Sequence, residues 1–184
     1  MAENSTMLPL GTAMPSFVLP DVVTGRPVDA AAAVAGKRGA VVMFLSNHCP
    51  FVVHVRAGLV AAAHDALDAG LAVLAINSND LATYPQDGPE PMARLARQET
   101  WRFPFLFDET QDVARAFAAA CTPDLYVFDA AGKLVYRGQF DDSRPSNGKP
   151  VTGRDLRAAV TAVAAGTPVA AEQRPSVGCG IKWK

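Results

Sequence analysis

The run Ala40-Val41-Val42-Met43-Phe44-Leu45 stops at Ser46-Asn47-His48-Cys49-Pro50, and a helical pattern begins at the proline. The run is apolar without alternation, rich in β-branched residues and preceded by the turn-forming Gly36-Lys37-Arg38-Gly39. These are the marks of a strand buried on both faces, as in a parallel sheet. Beyond it Val52, Val55, Leu59, Ala63, Ala66 and Leu67 recur at three- and four-residue spacing, which predicts a helix from Pro50 to Ala69 with Gly70 at C′. A buried strand feeding a long amphipathic helix restricts the chain to architectures in which helices cover a sheet.

The rest of the sequence fits that restriction. A second buried strand is expected from Leu71 to Ile76, then a polar loop Asn77-Ser78-Asn79-Asp80, a helix from Glu90 to Glu99, a short strand from Phe103 to Phe107 and a helix from Thr110 to Ala120. Thr122-Pro123 precedes a strand from Leu125 to Phe128; the turn Asp129-Ala130-Ala131-Gly132-Lys133 leads to a strand from Leu134 to Gln139, and the last helix runs from Thr152 to Ala165. Upstream, Pro15, Pro20 and Pro27 around the Thr24-Gly25 turn suggest a small hairpin between Leu10 and Val28. Alternating strands and helices followed by an antiparallel pair imply an α/β fold, with a central mixed sheet and helices on both faces. Residues 1–184 read as one domain, with an N-terminal arm over 1–13 and an irregular tail over 167–184 that carries Pro168, Pro175 and Gly178.

Bulk composition narrows the partners. Chains of about 150 residues bury roughly 68–70% of their unfolded surface, so 184 residues suffice for one core. Lys+Arg 17 against Asp+Glu 18 leaves no electrostatic reason to expect nucleic acid or an anionic membrane. The first twenty residues lack a basic start followed by an apolar run, and no stretch approaches the roughly 18 apolar residues of a membrane span, so the expected compartment is the cytoplasm. Three cysteines, at 49, 121 and 179, are too few for a disulfide scaffold, and an odd count leaves at least one thiol free in the monomer.

Cys49 stands where the strand ends, with Pro50 suited to the first helical position. Unpaired amide N–H groups and the positive end of the helix dipole there favour the thiolate, below the value of about 8.5 of a free cysteine. The competing reading is a small buried hydrophobe. His48 is placed to stabilise a thiolate or donate a proton. His48, Cys49 and His54 offer three metal ligands but neither a fourth nor a C-x-x-C, so no metal is expected. His64 reads as a packing or solvated histidine. Asn79 and Asp80 lie at the carboxyl edge of the sheet, where ligands bind and where helix caps also occur. Cys179, between glycines on the tail, can swing to Cys49, pair with another subunit in a homodimer, or be an incidental surface thiol.

The segment Phe44-Leu45-Ser46-Asn47-His48-Cys49-Pro50-Phe51-Val52 resembles the active-site segment of thioredoxin-fold redoxins, and Thr122-Pro123 resembles the cis-proline loop that faces the active cysteine in that fold. The resemblance covers roughly residues 10 to 165. Asn47-His48-Cys49-Pro50, together with the stretch Pro175 to Lys184, is similar to an uncharacterised bacterial peroxiredoxin-like subgroup of the alkyl hydroperoxide reductase/thiol-specific antioxidant superfamily. Val52 stands where a thioredoxin has its second cysteine, which excludes a C-x-x-C mechanism. Ser46 takes the hydroxyl position three residues before the peroxidatic cysteine of a peroxiredoxin, and Val42 replaces the proline.

The resemblance implies a thioredoxin-like fold and a thiol-dependent antioxidant oxidoreductase that reduces hydroperoxides through Cys49. Ser46, His48, Thr122 and Pro123 would complete its site, with Cys121 or Cys179 as resolving thiol, no cofactor, and an external thiol reductant such as a thioredoxin. Cys121 reads equally as core filler. Arg137 and Arg144 lie on or after the late hairpin, near which a redoxin often places an arginine; Arg144 also fits a salt-bridged turn in Asp141-Asp142-Ser143-Arg144-Pro145. Two alternatives stay open: a one-cysteine thiol-disulfide oxidoreductase acting on disulfide substrates, and a non-catalytic redox-sensing or metal-handling module.

Overall fold

The computed structural model describes residues 2–184; Met1, the first residue of the arm expected over 1–13, lies outside them. The elements run β1 (Ala2–Asn4), β2 (Val18–Pro20), β3 (Pro27–Asp29), α1 (Ala30–Val34), β4 (Gly39–Phe44), α2 (Pro50–Asp68), β5 (Ala72–Asn77), α3 (Pro89–Gln98), β6 (Phe105–Phe107), α4 (Asp112–Ala116), β7 (Cys121–Thr122), β8 (Asp124–Asp129), β9 (Leu134–Gly138), α5 (Arg154–Ala165) and β10 (Val177–Gly180).

The main sheet has the order β6-β5-β4-β8-β9. β4, β5 and β6 run parallel, and β8 turns the sheet antiparallel against β4 before pairing with β9. Side chains alternate across the pleat, so one strand feeds two cores. Val41, Met43 and Leu45 pack under α2, α3 and α5, whereas Ala40, Val42 and Phe44 pack with Ala30 of α1, Val113 and Ala114 of α4, and Phe117. Because both faces are covered, β4 and β5 are buried along their whole length, as their unbroken apolar runs require. No helix among the described residues is long and apolar enough to cross a membrane.

Three elements depart from the sequence-based expectation, each for a local reason. The helix expected from Thr110 to Ala120 is confined to Asp112–Ala116, because Ala118 adopts a left-handed conformation (φ 47°) and the amide of Ala119 returns to the carbonyl of Ala114, which closes the helix and turns the chain into β7. The strand expected from Phe103 starts only at Phe105, since Pro104 has no N–H to give to the ladder. The tail over 167–184 is not irregular throughout: β10 lies antiparallel between β1 and β7, with Cys179 opposite Thr122 and Gly180 opposite Cys121. Glycine is required at 178, where a Cβ would stand 2.0 Å from the Thr122 carbonyl oxygen. The expected hairpin is present as β2 and β3, and α1, which the alanine-rich stretch obscured, is capped by the Asp29 carboxylate accepting from the amides of Ala31 and Ala32.

Candidate active site

Cys49 is the N-cap of α2 and has no solvent exposure. Its amide donates to Ser46 Oγ at 3.2 Å, and its thiol donates to the carbonyl of Thr122 at 3.1 Å. The Thr122-Pro123 peptide is cis. Cys49, Ser46, Thr122 and Pro123 therefore meet at the point where α2 starts and β7 ends.

Cys179 completes this group from the other side. Its register places it opposite Thr122, the residue whose carbonyl accepts from the Cys49 thiol. Burial pushes the Cys179 thiol up to about 11, assisted by its neighbour Cys49; the Phe51 amide and the Lys182 ammonium oppose the shift. Cys49 itself meets Ser46 through its amide and Thr122 through its thiol. Cys179 is therefore held protonated at neutral pH.

Cys121 is placed differently. It is buried, its thiol donates to the Pro123 carbonyl at 3.7 Å, and burial together with the nearby Asp124 carboxylate pushes its pKa up. On the β7–β10 ladder Cys121 stands opposite Gly180, one position along from the Cys179–Thr122 pair.

His48 belongs to a network that the sequence did not reveal. Its centre is Asp87, fully buried at the end of a 3₁₀ turn over Pro85–Asp87. The Asp87 carboxylate accepts from His48 Nδ1 at 2.8 Å, Ser46 Oγ at 2.9 Å, the Asn47 amide at 2.7 Å and Asn79 Nδ2 at 2.7 Å. With Nδ1 committed inward, the His48 ring lies flat on Tyr84, centroids 4.1 Å apart and planes 5° apart, and the Lys182 ammonium sits 5.5 Å from the centroid of the Tyr84 ring. The only hint in the sequence is that Asp87 follows the carboxyl end of the second strand, the edge where such sheets build sites.

The other expected candidates turn elsewhere. His54 Nε2 is 2.8 Å from Ser143 Oγ, and His64 Nε2 accepts from the Arg102 amide, so neither joins His48 and Cys49. Arg137 is fully buried and directs its guanidinium to Asp124, Thr6 Oγ1 and the Ala118 carbonyl, over the Tyr126 ring. Arg144 braces its turn through the carbonyls of Asp141 and Ser143 and through Gln139 Oε1, and the ion pair of that turn is formed by Asp142 with Lys149 at 2.7 Å. Arg144 also lines a small cavity with Phe51, Pro123 and Val177.

The comparisons with known proteins agree with this fold. A family model described as Redoxin matches residues 9–156. An uncharacterized conserved protein from Geobacillus kaustophilus is 50% identical over 100% of this chain and 97% of its own, with a TM-score of 0.96. A hypothetical protein from Sinorhizobium meliloti 1021 is 47% identical over 98% of each chain, with a TM-score of 0.95. The thioredoxin domain of a thiol-disulfide oxidoreductase from Bacteroides vulgatus shares the fold at 15% identity and a TM-score of 0.62, over 83% of this chain and 99% of its own. A search of curated proteins finds no match. With the family model spanning most of the chain and the thioredoxin-like sheet, cis-proline loop and helix-capping cysteine in place, this chain belongs to the redoxin family.

Proposed function

We propose that the protein is a two-cysteine thiol oxidoreductase that reduces hydroperoxides, with Cys49 as the attacking sulfur and Cys179 as the resolving one. Thiol redox chemistry comes with the redoxin family; the observation that carries the finer reading is the register of β10, which sets Cys179 opposite Thr122, the residue whose carbonyl accepts from the Cys49 thiol. In the first step the Cys49 thiolate attacks the terminal oxygen of ROOH, the O–O bond breaks, Cys49 becomes a sulfenic acid, and the alkoxide takes a proton to leave as ROH. In the second, Cys179 sulfur attacks the Cys49 sulfenic sulfur, an S–S bond forms and the hydroxyl leaves with a proton as water. An external thiol, thioredoxin-like or of low molecular weight, then returns the disulfide to two thiols. The cytoplasm suits this cycle, since its thiol pools supply that reductant.

Intact-mass measurement of the reduced protein before and after one equivalent of hydrogen peroxide tests the proposal. The wild type should lose two hydrogens, Cys179→Ser should gain one oxygen, and Cys49→Ser should do neither. Loss of two hydrogens in Cys179→Ser would assign resolution to Cys121 and sink the Cys179 role. The closing step also carries a pH signature. Burial, the largest cause of the raised Cys179 pKa of about 11, persists after Cys49 is oxidised, and only the thiolate attacks. Disulfide closure should therefore accelerate about tenfold per pH unit between pH 6 and 9, read by rapid quench and mass analysis. A flat profile would contradict it.

One observation favours a second reading. Arg137 turns its guanidinium to Asp124 and Arg144 turns its own to Gln139, so neither of these two supplies a donor to polarise an O–O bond at Cys49. Attack of Cys49 on an S–S bond needs no such donor. Turnover of a low-molecular-weight disulfide, with peroxide ignored in the mass measurement, would establish that reading instead.

A further inference from the structure

Cys179 lies on a strand of four residues, too short to fix a thiol by its own ladder, and what lies on either side of it decides where it sits. On the near side Ser176 Oγ donates to the Pro123 carbonyl at 2.6 Å, and Ser176 exchanges bonds with Ser5. On the far side the backbone of Lys182 and Lys184 is gripped by two buried amide side chains. Asn79 Oδ1 accepts the Lys182 amide at 2.9 Å; Gln111 Nε2 donates to the Lys182 carbonyl at 2.7 Å, and Gln111 Oε1 accepts the Lys184 amide at 2.9 Å. Asn79 and Gln111 are 5% and 1% exposed.

Two features indicate that this grip serves the cysteines as well as the tail. The other end of the Asn79 amide, Nδ2, donates to Asp87, which holds Ser46 and His48 beside Cys49, so a single side chain ties the loop of one sulfur to the strap of the other. Gln111 adopts a left-handed backbone (φ 67°), a conformation that glutamine rarely takes and that persists only where the surroundings hold it. Its side chain is turned to the Ser78 and Lys182 carbonyls, joining the carboxyl end of β5 to the strap.

We infer that Asn79 and Gln111 are positioning residues that set the effective concentration of Cys179 at Cys49, and with it the redox potential of the pair. The inference rests on the Cys49–Cys179 pairing above. An intramolecular disulfide is stabilised in proportion to how well its thiols are held together in the reduced state, and a strap tethered at one end samples a larger volume than one tethered at both.

The test is equilibration of the full chain with reduced and oxidised glutathione, followed by acid quench and mass analysis, for wild type, Asn79→Ala, Gln111→Ala and the double variant. Gln111→Glu, which keeps the shape and the acceptor but loses the donor to Lys182, guards against a fold lost to truncation, and a melting curve accompanies each variant. Each single variant should be half-reduced at a ratio of reduced glutathione squared to oxidised glutathione at least tenfold lower than wild type, that is, its effective concentration should fall at least tenfold, with more protein carried as the Cys49–glutathione mixed disulfide. Unchanged equilibria in folded variants, alongside a wild type that forms the disulfide, would overturn the positioning role and leave the pairing intact. A wild type that forms no Cys49–Cys179 disulfide at any ratio would overturn the pairing itself, and the inference with it.

Discussion

Arg137→Met should cost the fold about 3–5 kcal/mol at neutral pH, the range for removing one partner of a buried ion pair. Arg137 and Asp124 both have no solvent exposure and lie 3.2 Å apart. Burial already pushes the Asp124 carboxyl up against the pull of Arg137, so an Asp124 left alone must either carry an uncompensated charge or take a proton. The pH dependence follows. In the variant the folded-state pKa of Asp124 lies further above its unfolded value, so the deficit is smallest in acid, where both states are protonated, and grows as pH rises through the folded pKa. Asp124→Asn added to Arg137→Met keeps the acceptor for the Ala120 amide and the Tyr126 hydroxyl while removing the charge, and should recover part of the loss. Urea unfolding at pH 5 and pH 7.5 measures all three. An Arg137→Met protein within 1 kcal/mol of wild type at pH 7.5 would refute the account.

The same pair shows why some of the site was legible in the sequence and some was not. Cys49 was visible because its setting is local: a buried strand, a proline at the first helical position and the apolar spacing of α2 all lie within about thirty residues. Pro123 was visible for a similar reason, its place before an apolar strand. The partners of these residues are set by the topology. Arg137 faces the site in sequence terms but lies on β9, where the pleat and its register opposite Tyr126 aim it at Asp124. Cys179 finds Cys49 only because β10 inserts between β1 and β7, a pairing between the two ends of the chain that no local pattern announces. Proline and glycine in the tail signalled irregularity, yet Gly178 is there because a strand passes against the Thr122 carbonyl.

Asp87 is the residue whose removal should reach both stability and chemistry, and it was invisible because its bonds to Ser46 and His48 span 41 and 39 positions. In Asp87→Ala, Ser46 Oγ, the Asn47 amide, His48 Nδ1 and Asn79 Nδ2 lose their shared acceptor in a buried setting. Each orphaned buried donor costs about 1–3 kcal/mol, and water entering the space left by the carboxylate recovers part of that, so a loss of about 3 kcal/mol or more is expected. The chemistry should suffer through geometry. Ser46 Oγ, which receives the Cys49 amide, and the Nδ1-anchored imidazole of His48 would no longer be fixed, so the rate of Cys49 oxidation by peroxide should fall at least tenfold, since small displacements at a reacting centre cost that much. Asp87→Asn separates the two effects. It retains the shape and one acceptor oxygen but turns an N–H₂ toward some of the existing donors, so it should lose less stability than alanine while still slowing Cys49. If Asp87→Asn oxidises at the wild-type rate while remaining folded, the carboxylate only holds the loop, and the orientation of His48 has no part in the reaction of the thiol.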